Sequence, residues 1–469
     1  MSRLSIVALS LVAALAGCAS VGPDYVKPDI DVPAAWREAP ADGTKAQGPE
    51  WWKLYGDPVL DRLIAEALKN NANLMLAAAR VEEARAIVSV VGADQQPQVS
   101  ANAERRRTQF SQRAPLPVPP GVSSRASDTR VSLDVSYEID LWGKLRNATN
   151  AARADLLATE AAGETVRVTL TADVAQGYFA LRSLDGQLAA TRRAVASRGE
   201  SLAMQKRRFE VGDISEFEYR QLDAEQAAER AQVPVLEQQR SQQESALAVL
   251  LGRSPRAIYD RALEAGSDPE EQTVEIAVPA GIPSNLLVRR PDLVQAEQGL
   301  IAANARIAVA RAAYFPSISL TGYLGSESVA LSDLFTGPAG IGQAAIALGQ
   351  PIYAGGRLDA QVKAANARER QAFARYQLAV QNAFREVRDA LVAQLKARER
   401  LDAERDRAGS LRIALRFARL RYENGLSSQL EVLDAERNLL AAEQNRLDAL
   451  RAQRAAIADL FKALGGVWS

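Results

Sequence analysis

The sequence predicts a mainly α chain, internally duplicated, that contributes β-hairpins to a transmembrane β-barrel. Three observations point there. A run of 110 residues occurs twice without a gap, 143–252 and 356–465, at an offset of 213. Leu145 matches Leu358, Val174 matches Val387, Leu188 matches Leu401, Gly212 matches Gly425 and Leu251 matches Leu464. Each copy reads as two long helices around a tight turn, and a first arm of about 67 residues reaches roughly 100 Å at 1.5 Å per residue. Second, residues 129–141 alternate strictly, with Val131, Leu133, Val135, Tyr137, Ile139 and Leu141 on one face and Ser132, Asp134, Ser136, Glu138 and Asp140 on the other. That period fits a strand with one apolar and one wet face. Third, Ala, Leu, Arg, Glu and Gln dominate the repeats, the composition of helices packed along thin seams.

Composition narrows the function classes. With 469 residues, 47% of them hydrophobic, the chain can bury surface in two or three domains. Lys plus Arg and Asp plus Glu are both 57, so no net field draws nucleic acid. There is no histidine, which removes the commonest general base, the Ser/His and Cys/His pairs and most zinc or copper sites. No convergent polar site stands out, so neither an enzyme nor a bound cofactor is expected.

Taken in order, residues 1–17 carry one charge, Arg3, and an apolar run from Leu4 to Leu15. This reads as a secretory signal peptide, too short to span a bilayer. Cys18, the single cysteine, follows at once and cannot form an internal disulfide. Leu15-Ala16-Gly17-Cys18 resembles the bacterial lipobox, which implies an acylated Cys18. Several acyl chains at about 0.8 kcal/mol per buried methylene anchor stably where one does not. Ala19 after the cysteine resembles the outer-membrane sorting pattern of such lipoproteins. The segment 18–58 is Pro- and Gly-rich without period and is expected to lie extended over a neighbouring surface. Asp57-Pro58 then suits a helix cap and first turn, opening a helix from about Val59 to Gly92.

After Pro97 the period changes to that of a hairpin, 98–141, its strands Gln98–Phe110 and Thr129–Leu141 joined by the rigid loop 115–121. The helix pair 143–252 follows, with Pro234 expected to kink its second arm. A connector, 253–290, leads to Arg290-Pro291-Asp292, where a helix begins and the plan repeats. Asn73 to Pro97 matches Asp292 to Pro316 at an offset of 219. The second copy, 291–465, holds a hairpin at 317–352, with strands Ser317–Leu324 and Ile341–Ile352, and the helix pair 356–465, before a tail at 466–469. The first copy is 59–252.

Two hairpins give four strands, and a sheet in hydrocarbon cannot leave edges unpaired. The smallest membrane barrels have about eight strands. Closure therefore needs several chains around a rotation axis, with the long helices continuing the barrel as a tube.

Four stretches resemble the outer-membrane efflux channel family, TolC-like, in its lipoprotein branch serving resistance-nodulation-division pumps. They are Cys18 with Gly22-Pro23-Asp24-Tyr25-Val26-Lys27-Pro28; Trp51-Trp52 with Asp57-Pro58 and Leu63-Ile64; Val278-Pro279-Ala280-Gly281-Ile282-Pro283 with Arg289-Arg290-Pro291-Asp292; and the two helix turns. The resemblance implies a homotrimer with a 12-stranded barrel, a 12-helix periplasmic tunnel and a belt domain. It also implies a lipid-anchored place in the outer membrane of a Gram-negative bacterium and passive exit of small molecules, such as drugs and toxic compounds. Its partners would be a periplasmic adaptor protein and an inner-membrane pump. Two other readings stay open: a polypeptide-secretion conduit of the same fold, and a non-conducting coiled-coil lipoprotein.

The turns Val211-Gly212-Asp213-Ile214-Ser215 and Asn424-Gly425-Leu426-Ser427-Ser428 suit tight reversals, with Gly free to adopt a left-handed backbone and Ser able to cap the restarting helix. By the resemblance these tips contact the adaptor. Asp434 and Arg437, three apart on one helical face, and Arg421 and Tyr422 on the arm opposite correspond by the same resemblance to the periplasmic gate. Asp134, Glu138 and Asp140 are candidate residues of the barrel lumen. No metal site is expected, and no cofactor beyond the covalent lipid on Cys18.

Overall fold

A computed structural model describes residues 21–34, 36, 50–111, 113, 123–260 and 283–466. The signal peptide, Cys18, the loop 115–121, residues 278–282 and the tail from 467 lie outside them. In chain order a short 3-10 turn, Trp51–Tyr55, leads to α1 (Pro58–Asn70) and α2 (Ala72–Ala93), then β1 (Gln98–Gln109) and β2 (Arg125–Ile139), then α3 (Lys144–Glu210) and α4 (Glu216–Leu250). Two short helices follow, α5 (Pro255–Asp260) and α6 (Pro283–Arg289). The plan then recurs as α7 (Pro291–Ala312), β3 (Ser317–Ser328), β4 (Gly340–Gly349), α8 (Arg357–Glu423) and α9 (Gln429–Ala463). Both first arms are 67 residues and both second arms 35, so the repeat read in the sequence is a repeat in structure.

The structure corrects several boundaries. The helix expected over 59–92 is two helices, because Asn71 leaves the helical backbone with ψ 128°. Its side-chain oxygen accepts from the N–H groups of Asn73 and Leu74, which caps the next helix, while its Nδ2 donates to the carbonyl of Leu250 at 2.8 Å. A polar side chain that can serve both a helix start and a tertiary partner outcompetes one more helical turn. β3 runs four residues past Leu324, since the long β2 offers it partners as far as Thr129 opposite Ser328. β4 stops at Gly349, and β2 starts at Arg125 and ends before Leu141. α4 remains a single helix through Pro234.

By spatial grouping the described residues form two units, each containing parts of both repeats: those within 1–29, 80–160 and 295–377 in one, those within 30–79, 161–294 and 378–469 in the other. The first unit holds the sheet. Its order is β1-β2-β3-β4, all neighbours antiparallel, with β1 and β4 as edges. The register sorts the side chains. Val99, Ala101 and Ala103 face Val135, Leu133 and Val131; Leu133, Tyr137 and Ile139 face Leu324, Leu320 and Ile318; these last two face Ile346 and Leu348. All lie on one side because directly paired residues share a face. Leu324, Ile346 and Leu348 are 73%, 76% and 66% exposed, so the apolar side is open. The opposite side carries Asn102, Glu104, Arg106, Asp134, Arg130, Tyr323 and Gln343. At Gly325 a side chain would collide with the Val131 carbonyl and Ser132, so glycine lets β2 and β3 approach there. In the same unit, Val21 to Asp29 has no helix or strand and lies on α7: Tyr25 and Lys27 donate to Glu297, Asn304 donates to the Pro23 carbonyl, and Gly22 sits against Ala308.

The second unit is cored by Trp51, Tyr55, Leu60, Ile64, Tyr178, Leu247, Leu251, Val387, Ile457 and Phe461. Trp51 stacks on Phe461 with ring centroids 4.9 Å apart, and the Tyr55 hydroxyl donates to the Arg454 carbonyl at 2.8 Å. Asp57 caps α1 as its position before Pro58 predicts, accepting from the N–H groups of Val59 and Leu60. It also accepts from the Tyr178 hydroxyl at 2.6 Å, and burial together with this bond pushes the phenol above its ordinary range.

Candidate functional site

Both helix reversals close in the same way. In the first, Gly212 has φ 78°, Asp213 N–H donates to the Arg208 carbonyl at 2.8 Å and Gly212 N–H to that of Phe209 at 3.0 Å. In the second, Gly425 has φ 67°, with Leu426 N–H to Arg421 and Gly425 N–H to Tyr422 at 2.8 and 2.9 Å. These bonds satisfy the last carbonyls of each long helix with glycine in the left-handed region. The restarts differ. Ser215 and Glu218 form a reciprocal capping box, but the Ser428 side chain makes no capping bond, against expectation. The carboxylate that would complete the second box, Glu431, lies instead 3.7 Å from Arg421 Nε. Around the turns, Val211, Phe217 and Leu426 are 80%, 76% and 71% exposed, an apolar surface on otherwise polar tips. Gly212, Asp213, Ser215, Asn424, Gly425 and Ser428 are exposed as well, and Ile214 and Ser427 half-buried.

The four gate candidates do not form one cluster within the chain. Arg437 Nη2 donates to Asp434 Oδ1 at 2.7 Å, and its Nη1 lies 3.9 Å from Glu225 of the first helix pair. Tyr422 faces the first pair instead, its hydroxyl accepting from Gln205 at 2.9 Å and from Arg208 at 3.0 Å. Arg421 serves its own turn through the Leu426 carbonyl and Glu431. Thus Gln205, Arg208 and Glu225 join the second helix pair to the first, and the sequence reading named none of them as a partner.

Farther from the tips lies a denser charged seam. Arg198 of α3, 5% exposed, reaches Glu229 at 2.9 Å and Glu225 at 3.5 Å on α4, and Glu436 at 3.5 Å on α9. Arg419 of α8 also binds Glu436, at 2.7 Å. Burial raises the Glu229 carboxyl above its usual range, Arg198 opposes that, and Glu436 and Glu225 add to it. A partly open cavity of about 170 Å³ borders the seam. A signal for it existed in the sequence. Glu225 and Glu229 are like charges at i,i+4, which repel unless a cation faces them, and Arg198 and Glu229 stand where the second repeat has Leu411 and Ala442.

On the polar side of the sheet, Asp134 accepts hydrogen bonds from Asn102 and from Ser132, the latter at 3.1 Å, and Glu138 pairs with Lys144 at 3.0 Å. Asp140 is no strand residue. It lies past the end of β2 and accepts from the N–H groups of Leu145 and Arg146, so its carboxylate satisfies the orphan donors of α3. Arg290 in the Arg-Pro-Asp stretch is structural: its guanidinium grips Asp292 through both carboxylate oxygens, Glu386, and the Ala463 carbonyl at the end of α9. Among the described residues no group of three His, Cys, Asp or Glu could hold a metal ion, and no helix is long and apolar enough to cross a membrane.

The family described as outer membrane efflux protein matches residues 63–253 and 282–466. The probable outer membrane lipoprotein SilC of Salmonella typhimurium is 33% identical over 472 residues, covering 100% of both chains. The toluene efflux pump outer membrane protein TtgC of Pseudomonas putida is 35% identical over 473 residues, covering 99% of this chain and 96% of that one. The crystal structure of the Campylobacter jejuni CmeC outer membrane channel superposes with a TM-score of 0.90 at 27% identity, covering 96% of each chain.

Proposed function

The chain belongs to the outer membrane efflux protein family, and from that premise we propose that its Asp434–Arg437 pairs hold an exit duct shut until a partner docks on the helix tips. It is an outer-membrane exit channel of an efflux system, with a barrel-plus-helical-tunnel fold. The apolar side of the sheet therefore faces lipid, and in our reading the side bearing Asp134 and Glu138 faces the water of the lumen. The two open edges, β1 and β4, pair between copies, three chains closing a barrel of twelve strands. The exposed apolar tips receive a periplasmic adaptor that links the channel to an inner-membrane pump of the resistance-nodulation-division type, and the cargo is small molecules.

The single observation that carries the gate is the bond between Arg437 and Asp434 on the helix next to the tip, with Glu225 of the other pair close by. Such an exposed pair contributes about 0.5 kcal/mol. Three copies sum to about 1.5 kcal/mol, which is roughly tenfold in an open-to-closed ratio. Purified Asp434→Ala/Arg437→Ala protein in planar bilayers is expected to conduct about tenfold more of the time than wild type. Wild-type conductance in the double variant sinks the assignment.

We further propose that Cys18 carries the acyl anchor. Support comes from the lipobox-like sequence, from the similarity to SilC, a probable outer membrane lipoprotein, and from the run Gly22 to Lys27 that ties the nearby chain to α7. Mass spectrometry of the mature amino-terminal peptide is expected to find Cys18 first and bearing fatty acids; an unmodified thiol there refutes it.

A further inference from the structure

The lipid-facing side of the sheet changes chemistry along its first hairpin. Along β1 it reads Val99, Ala101, Ala103 and then Arg105 and Arg107; along β2, from the opposite end, Ile139, Tyr137, Val135, Leu133, Val131, Thr129, Ser127 and Arg125. The apolar residues lie toward the helices and the three arginines toward the loop, the end that faces out of the cell in an outer-membrane channel. Arg107 is opposite Ser127 and Gln109 opposite Arg125, so Arg107 and Arg125 are diagonal neighbours about 7–8 Å apart. Arg105 and Arg107 are one pleat apart, about 7 Å.

The two faces treat their arginines differently. On the lumen side, Arg106 is paired with Glu104 at 3.0 Å, and Arg130 lies 4.0 Å from Glu327 with its guanidinium 4.1 Å from the Tyr323 ring centre. On the lipid side, Arg105, Arg107 and Arg125 are exposed, and no guanidinium among them has a hydrogen bond or ion pair with the described residues. The loop holds no carboxylate for an ion pair: residues 105–127 contain five arginines and neither Asp nor Glu. A cluster of cations at the rim of an apolar band, without a counter-charge among the described residues, calls for an anion from the membrane itself. Guanidinium groups take phosphate in a bidentate grip, and three within one pleated patch exceed what a single phosphate needs.

We propose that Arg105, Arg107 and Arg125 form a binding patch for a multiply phosphorylated lipid of the leaflet on the loop side of the barrel. The patch is independent of the gate and of the tips. Pairing of the β1 edge with another copy uses backbone groups and leaves this face free. Binding of the lipid headgroup neutralises the cluster and fixes the height of the barrel against that leaflet.

The full-length protein in phosphatidylethanolamine nanodiscs containing diphosphoryl lipid A tests this, with lipid retained after detergent exchange measured by mass spectrometry. Wild type is expected to retain at least about tenfold more diphosphoryl lipid A than R105Q/R107Q/R125Q, given the strength of charge-assisted contacts, and to lose that advantage when the lipid is fully dephosphorylated. Equal retention by the triple variant overturns the proposal. So does equal retention of dephosphorylated lipid by wild type, a comparison that decides the matter even if the variant fails to assemble. Equal retention of phosphatidylglycerol, with its single phosphate, reduces the patch to a general counter-ion and also overturns it.

Discussion

Arg198→Met is expected to destabilise the helical unit by about 3–5 kcal/mol near pH 8, toward the low end of that range, and by less as the pH falls toward 5. The magnitude is that of breaking a buried ion pair by removing one partner, moderated because the adjoining cavity lets water reach the stranded carboxylates. The pH dependence follows from Glu229. In the native chain burial pushes its carboxyl up while Arg198 pulls it down. Without Arg198 only the raising influences remain, burial first and then Glu436 and Glu225, with Arg419 of α8 bound to Glu436. The folded variant then holds a proton that the unfolded chain, with an ordinary carboxylate, has released. Between the ordinary value and the raised one the native state binds more protons, so its stability rises as pH is lowered through that window and is lost as pH rises through the folded-state value. Thermal unfolding followed by helical circular dichroism at pH 8 and pH 5 checks this. A loss of the same size at both, relative to wild type at each pH, removes Glu229 from the account.

Gly252→Ala is expected to cost about as much, by a different route. Gly252 ends α4 with φ 70°, and a β-carbon there would overlap the Asn70 carbonyl and come within 3.0 Å of the Asn71 nitrogen. A left-handed non-glycine residue costs about 1–3 kcal/mol, and forcing apart packed backbone adds about 1–3 kcal/mol more. Its repeat partner Gly465, φ 86°, would place the carbon 3.2 Å from the Arg290 Cα, a milder conflict, and Gly212 at the tip meets nothing within 4 Å. Gly212→Ala should therefore cost only the left-handed backbone penalty, about 1 kcal/mol at the low end of that range. The expected order of denaturation midpoints is Gly212→Ala above Gly465→Ala above Gly252→Ala. Equal losses would show that backbone conformation alone matters and that the Asn70 contact contributes nothing.

Only part of the arrangement of the four gate candidates was legible in the sequence. Asp434 and Arg437 are neighbours through helical spacing, a local property, and the structure shows them bonded. Tyr422 and Arg421 share no such spacing with them, and each finds its partner elsewhere: Tyr422 at Gln205 and Arg208, more than two hundred residues away, Arg421 at its own turn. Asp140 shows the converse error. Alternation continued through it in the sequence, but a carboxylate five residues before the α3 donors serves the helix better than the strand.

What the sequence determined by itself was everything governed by period and by single-residue backbone chemistry. The gapless repeat set two helix pairs of equal length, the glycines at 212 and 425 set their turns, Asp57 before Pro58 set a helix start, and strict alternation set the two faces of β2. What only the tertiary structure decided was partnership over long separations: that β2 pairs with β3 to join the hairpins into one sheet, that Asn71 breaks a helix to reach Leu250, and that Arg198 gathers carboxylates from two other helices. The division has a physical cause. Dihedral preference and hydrophobic period act within a few residues and are written at each position, whereas a hydrogen bond or ion pair across the fold depends on which surfaces the packed chain brings within 3 Å of one another.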